Sequence, residues 1–274
     1  MNKKNIVIFI SIILTFSTIS LISLLPSFFQ ENENKEIIIE STPNKIKSIP
    51  NEIKSTPIKI EIKEEVPDFS SFKDVNNKKI QFFEFIYPMV VNSNLEIIKQ
   101  RQLVKSSTQF NNKIKELCQY YRVDCNKDNY KESFLKQVNI IPPSLTLAQA
   151  ANESAWGTSR FAKKANNYFG QWCFTKGCGI IPKQRNNYAQ HEVQSFQNVS
   201  DSVHSYIRNL NSHPAYKELR EIRNQKGFNG NYLAEGLSKY SERGQHYIEE
   251  IQSMINYNKL QKYDKKMIKY LLIK

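Results

Sequence analysis

Three hydropathy patterns succeed one another along the 274 residues. The run from Ile6 to Phe29 (IVIFISIILTFSTISLISLLPSFF) carries no charge and is interrupted only by Ser, Thr and Pro26. It is long enough to cross a hydrocarbon core of roughly 30 Å as a helix of about 20 residues. Residues 31–67 are rich in Glu, Lys, Asn, Ser, Thr and Pro, with isolated isoleucines and a rough internal echo, STPNKIKSIP followed by NEIKSTPIKI. Such a segment buries too little apolar surface to offset chain entropy and is expected to be a flexible linker. From about Asp74 the apolar spacing turns helical. Phe110, Ile114, Leu117 and Tyr121 form one stripe and Tyr130, Phe134, Leu135 and Val138 a second. Val203, Tyr206, Ile207 and Leu210 form a third, and Tyr247, Ile251, Met254 and Ile255 a fourth. Pro142 and Pro143 punctuate before a further helix starting near Ser144, in which Leu145, Ala148 and Ala151 share one side. Between Gly170 and Phe196 the pattern breaks at Gly177, Gly179, Pro182 and Asn186-Asn187, while YAQHEVQSF alternates weakly. A small hairpin or β-like lobe is expected there.

The fold class expected is therefore α+β and mainly helical. The predicted order is an export segment over 1–30, a linker over 31–67, a helical extension over 68–128, a principal domain over 129–260 and a tail over 261–274.

Charge and cysteines narrow the setting. The formal net charge is +13, and residues 68–274 carry the whole excess, with 31 basic side chains against 18 acidic ones. A cationic folded part favours a polyanion, an acidic polymer or an anionic surface. Lys3 and Lys4 before the apolar run mark an export signal with a cytoplasmic N-terminus. Without an Ala-x-Ala-like site, an uncleaved signal anchor is favoured over a removed signal peptide. Export agrees with four cysteines in two local pairs, Cys118 with Cys125 and Cys173 with Cys178, the natural partners for disulfides among three possible connectivities. Neither pair has the C-x2-C spacing of a zinc site, and His191, His204, His213 and His246 form no HxxxH or HExxH pattern, so no metal is expected. Export, together with the absence of any nucleic-acid-reading motif, argues against a nucleic-acid partner.

The most informative segment is SLTLAQAANESAWGTS, residues 144–159. Glu153 stands in the last turn of the predicted helix amid Ala, Asn, Ser and Trp, with no basic residue before Arg160. Desolvation and the negative end of the helix dipole should raise its pKa. A carboxyl group that keeps its proton is what glycosidic cleavage needs, because the leaving oxygen is protonated as the bond breaks. The same local features also fit a solvated glutamate on a helix face.

AQAANESAWGTSRFAKKANNYFGQWC, with IIPPSLTLAQAANES, HEVQSF, RNLNSHPAY and KYSERGQHY, resembles glycoside hydrolase family 73, the bacterial peptidoglycan β-N-acetylglucosaminidases, and most closely its Bax-like branch. The similarity runs from about Cys118 to about Ile255. It implies a lysozyme-like fold, cleavage of peptidoglycan glycan strands on the reducing side of N-acetylglucosamine, and no metal or organic cofactor. Carried across by position, the general acid falls on Glu153 in its Glu-Ser-x-Trp-Gly motif. Trp156, Tyr168 and Trp172 are candidates to stack on sugar rings, with Trp172 preferred and Trp156 and Phe169 leaning to packing. Tyr240 matches an active-site tyrosine of the family and reads equally well as a buried hydrogen-bonded one. For a second carboxylate, Glu192 is the one acidic residue between Glu153 and Asp201, although an alternating His-Glu-Val strand would also turn it to solvent. Substrate assistance by the sugar's N-acetyl group is the alternative to it. The resulting expectation is an enzyme outside the cytoplasm or in the periplasm, held to the inner membrane by residues 6–29. A lytic transglycosylase and a non-catalytic wall-binding protein of the same fold are its rivals.

Overall fold

The computed structural model of the chain describes residues 65–183 and 190–272, all within one compact unit, Pro43–Lys274. The apolar run 6–29 and nearly all of the linker 31–67 lie outside the described residues. Among the described residues no helix is long and apolar enough to cross a membrane.

Ten α-helices and three short strands make up the described part. The helices α1 (Val75–Ser106), α2 (Asn112–Tyr120), α3 (Tyr130–Gln137), α4 (Pro143–Glu153) and α5 (Arg160–Ala165) precede the lobe. The lobe holds β1 (Trp172–Cys173), β2 (Gly179–Ile180) and β3 (Glu192–Gln194). The helices α6 (Val199–Ser212), α7 (Lys217–Lys226), α8 (Gly230–Ala234), α9 (Gln245–Tyr257) and α10 (Gln261–Leu272) complete the body. The class is α+β and mainly helical, as the spacing predicts.

The central element is α4. Its residues Pro143 to Ala151 are all buried, so the one-sided face read from Leu145, Ala148 and Ala151 is too narrow. The reason is that α1, α8, α9 and α10 surround it, and its small alanines allow their approach. Pro142 offers no side-chain cap to this helix. Asp264 on α10 supplies one from 120 residues away, accepting from Ser144 N at 2.7 Å and Ser144 Oγ at 2.6 Å. Burial pushes the Asp264 carboxyl up to about 7, with the two Ser144 bonds pulling the other way. Residues 261–274, set apart as a tail by the sequence, thus contain a helix that caps the central one and buries Tyr263, Met267 and Leu271.

The helical extension before residue 129 packs on the rest of the body, α1 lying against α3, α4 and α6. On α1, Phe82, Ile86, Val90 and Ile97 are at most 1% exposed and join the same core as Leu145 and Leu147. Asn94 on that helix donates to Ile141 O at 2.8 Å and accepts from Ile141 N at 2.9 Å, fixing the chain just before α4. Burying each such phenylalanine or isoleucine contributes about 1.5–3 kcal/mol.

The lobe is built differently. Its strands are two or three residues long and run in the order β1-β3-β2, both pairings antiparallel, with Trp172 opposite Val193 and Cys173 opposite Glu192. Strands this short are marginal alone. Two covalent links form, Cys118–Cys125 on the body and Cys173–Cys178 on the lobe, the local pairing among the three possible ones.

Candidate active site

The site begins where α4 ends. Glu153 is its last residue, and beyond Ser154, which has φ −92°, the φ angles of Ala155, Trp156 and Gly157 are all positive, at 49°, 58° and 75°. That left-handed turn explains the Ser-x-Trp-Gly sequence. Ser154 is buried and its Oγ accepts from Gly157 N at 2.8 Å. A side chain at Gly157 would run into the Phe69 ring, and a positive φ penalises any residue with a Cβ. Two non-glycine residues in this conformation store strain of about 1–2 kcal/mol each, which buried packing must hold.

Glu153 is half-buried, and its two carboxyl oxygens face different surroundings. Oε1 accepts from the Tyr247 hydroxyl on α9 at 2.7 Å. Tyr247 Oη in turn accepts from Gln149 Nε2 at 2.8 Å, and Gln149 Oε1 accepts from the buried Tyr206 hydroxyl. Every hydrogen in this relay points toward Glu153. Oε2 lies beside Gly170, where an added Cβ would stand 3.5 Å from it. Burial raises the Glu153 pKa above the ordinary carboxyl range, opposed by the hydrogen bonds from Tyr247 and Asn152 and by the charge of Arg243. Burial also pushes the Tyr247 hydroxyl far up, and the Glu153 charge adds to it, so Tyr247 stays a donor.

The turn opposite Oε2 is equally determined. Asn166 takes φ 50° at the end of α5 and donates to Phe196 O and Gln197 O, each at 3.1 Å. Asn167 donates to Gln171 O and Gln194 O, each at 2.9 Å, and accepts from Phe169 N and Gln171 N. Phe169 stacks on Tyr206 with centroids 4.0 Å apart, and its carbonyl accepts from Tyr240 Oη at 2.9 Å. The Tyr240 ring stacks in turn on Tyr247 at 5.4 Å. Tyr240 is therefore at the site, as a half-buried brace between the Gly170 turn and the ring that holds Glu153.

The other predicted residues divide. Tyr168 has no exposed surface and its ring stacks on Phe82, so it offers no face to a ligand and belongs to the core. Trp156 has its ring against the edges of Phe82 and Phe83, with Lys79 Nζ 5.3 Å from its centroid, which is a packing position against α1. Trp172 is 56% exposed and stacks on His191 at 4.1 Å with the rings within 13° of parallel. Glu192 is buried rather than turned to solvent: Oε1 accepts from Gly177 N at 3.0 Å and Oε2 from Gly179 N at 2.8 Å. The Cys173 and Cys178 sulfurs lie within 4.8 Å of that carboxylate, but they are bonded to each other and offer no thiolate to a metal.

Sequence reasoning misses Gln149, Tyr206 and Tyr247. Tyr206 and Tyr247 sit in apolar stripes and pass for core, and the signal was Gln149, an amide in a run of Leu and Ala where a buried polar group needs partners.

Residues 128–260 match the family model described as mannosyl-glycoprotein endo-beta-N-acetylglucosaminidase. The chain is 29% identical over 197 residues to Protein bax of Escherichia coli K12, an alignment covering 66% of this chain and 70% of that protein. It is also similar to the catalytic domain of the autolysin Auto from Listeria monocytogenes, with a TM-score of 0.41 and 15% identity over 71% of this chain and 92% of the other.

Proposed function

We propose that this chain, a glycoside hydrolase whose residues 128–260 belong to the glucosaminidase family, cleaves peptidoglycan glycan strands at N-acetylglucosaminyl bonds outside the cytoplasm, with Glu153 as general acid. The observation that carries the reading is the asymmetric carboxyl of Glu153. One oxygen is saturated by a relay of donors and the other is turned to the Gly170 side, in a setting that favours the neutral form. With Tyr247 donating to Oε1, the proton sits on Oε2, on the side left open by a residue without a Cβ. From there it passes to the glycosidic oxygen as the bond to the N-acetylglucosamine C1 breaks.

Substrate assistance completes the reaction. The N-acetyl carbonyl oxygen bonds to C1, water then opens that ring, and the Glu153 carboxylate takes back a proton from the water. The reaction uses protein groups, substrate and water alone. Commitment of both Glu192 oxygens to backbone amides supports this route over a second catalytic carboxylate. The two disulfides and the N-terminal apolar run support an oxidising compartment on the far side of the membrane, where residues 6–29 would anchor the chain.

Digestion of purified peptidoglycan followed by mass spectrometry tests the reading. Products ending in reducing N-acetylglucosamine are expected. Anhydro-muramic ends would make the enzyme a lytic transglycosylase, and intact strands would leave a binding protein.

A further inference from the structure

Resting on that reading, we infer that Glu192 is a positioning residue: it clasps the lobe so that Trp172 and His191 present a flat stacking subsite for an N-acetylglucosamine ring of the glycan strand. Three lines of observation converge on it. The Glu192 carboxylate gathers two backbone N–H groups from the other side of the lobe, Gly177 inside the disulfide loop and Gly179 on β2. Both positions are glycine for backbone reasons: Gly177 has φ +82°, and a side chain at Gly179 would strike the Val193 backbone. Hydrogen bonds from amides to a carboxylate are among the stronger ones, and here they replace the long ladders that two-residue strands lack.

Next, the clasp and the platform share two strands. Glu192 lies opposite Cys173 in the register, its chain neighbour His191 stacks on Trp172, and Trp172 is the chain neighbour of Cys173. Fixing Glu192 therefore fixes both rings. The Trp172 ring remains accessible, with 56% of the residue exposed. An indole backed by a parallel ring suits the apolar C–H face of a pyranose.

Finally, the place fits the substrate. Gly170 borders the proton-bearing oxygen of Glu153, and Trp172 follows two residues later, at most about 7 Å along the chain. A strand whose scissile bond lies at Glu153 would pass its neighbouring sugar over this platform. A catalytic carboxylate needs a free oxygen aimed at the anomeric carbon or its water, whereas the two Glu192 oxygens point at amides.

Steady-state kinetics of the full chain on solubilised glycan strands decide the matter. Glu192→Gln, which keeps one acceptor and loses the other, is expected to raise KM about fivefold to tenfold with kcat within about threefold. Trp172→Ala should do the same, Trp172→Tyr should restore most of the loss, and the double variant should be no worse than Trp172→Ala alone. In a Glu153→Gln background, glycan strands should quench Trp172 fluorescence, with saturation moved to higher concentration by Glu192→Gln. A fall in kcat approaching that of Glu153→Gln would make Glu192 catalytic and overturn the inference, and so would an unchanged KM. Should Glu192→Gln prove too unstable to titrate, Glu192→Asp is judged by the same split. A wild-type chain that leaves glycan strands intact would overturn the glycosidase reading and this inference with it. Cleavage by a wild type whose KM ignores Glu192 would remove the clasp alone.

Discussion

The helical body and the β lobe meet at the Gly170 turn, yet they are stabilised by opposite means. In the body, α4 is wrapped by four helices, and Glu153 is oriented by side chains from three helices of that body, Gln149 on α4, Tyr206 on α6 and Tyr247 on α9. Each group in that relay is buried, so a misplaced one would leave an unsatisfied polar atom at a cost of about 1–3 kcal/mol. The lobe has strands of two or three residues and exposed Trp172, Phe174 and Ile181, and it is held by Cys173–Cys178 and the Glu192 clasp. On the proposed reading, proton transfer, which needs a fixed geometry, falls in the over-determined region. Binding a polymer, which needs an open aromatic surface, falls where a few local staples suffice.

The sharpest break of this division is Glu153→Gln. It should lower turnover by about a thousandfold or more while leaving the melting temperature nearly unchanged, because glutamine keeps an acceptor for Tyr247. A variant retaining more than a tenth of wild-type turnover would remove the chemistry from the body. Tyr247→Phe comes next, with kcat down about tenfold to a hundredfold. Its pH profile carries the diagnostic sign. The Tyr247 hydrogen bond favours the ionised carboxylate, so losing it raises the Glu153 pKa further. A general acid works while protonated, and the alkaline limb of the profile should therefore move to higher pH. An unmoved or lowered limb would show that Tyr247 does not act on Glu153.

Stability separates the regions again. Asp264→Ala strips the cap from α4 and should destabilise the chain by about 1–3 kcal/mol in a urea melt. Changing both Cys173 and Cys178 to serine opens only the short loop within the lobe, so its effect should stay local. The melt should shift by no more than about 2 kcal/mol, with KM raised a few-fold and kcat little changed. A collapse of the global melt would contradict the independence of the lobe.

What could be read from the sequence follows the same line. Helical stripes such as Val203, Tyr206, Ile207 and Leu210 are legible because burial imposes a period of 3.6, and all four are buried. The local motif at Glu153 is legible because the turn it makes involves only residues 153–157. The partners of Glu153 are not, since Tyr247 is 94 positions away and its hydroxyl counts for nothing in a hydropathy pattern. Neither is the cap from Asp264, which looks like one more charge in a Lys-rich terminus. Tyr168 shows the opposite error: standing next to Phe169 and Gly170 in the sequence places it near the site, while its ring points into the core. Elimination singles out Glu192 as a carboxylate but says nothing of what its oxygens touch.

The smallest effect concerns the surplus of positive charge, and the structure limits how much of it reaches a substrate. Arg220 and Arg223 are buried and Arg101 is half-buried. Their guanidinium groups are spent on backbone carbonyls: Arg101 on Leu135 and Val138, Arg220 on Leu210 and His213, Arg223 on Gln137 and Asn139. Burial lowers the pKa of each. These cations brace helix ends and do not present charge outward. What remains at the surface is mainly lysine, acting through water over a screening length of about 10 Å at 0.1 M salt. Raising ionic strength from about 0.05 to 0.3 M should weaken binding to purified sacculi a few-fold while leaving kcat and the bond cleaved unchanged. Equal weakening in Trp172→Ala and wild type would place the charge effect outside the platform. A salt effect that vanished with Trp172 would mean that the lobe gathers the anionic wall as well as stacking its sugars.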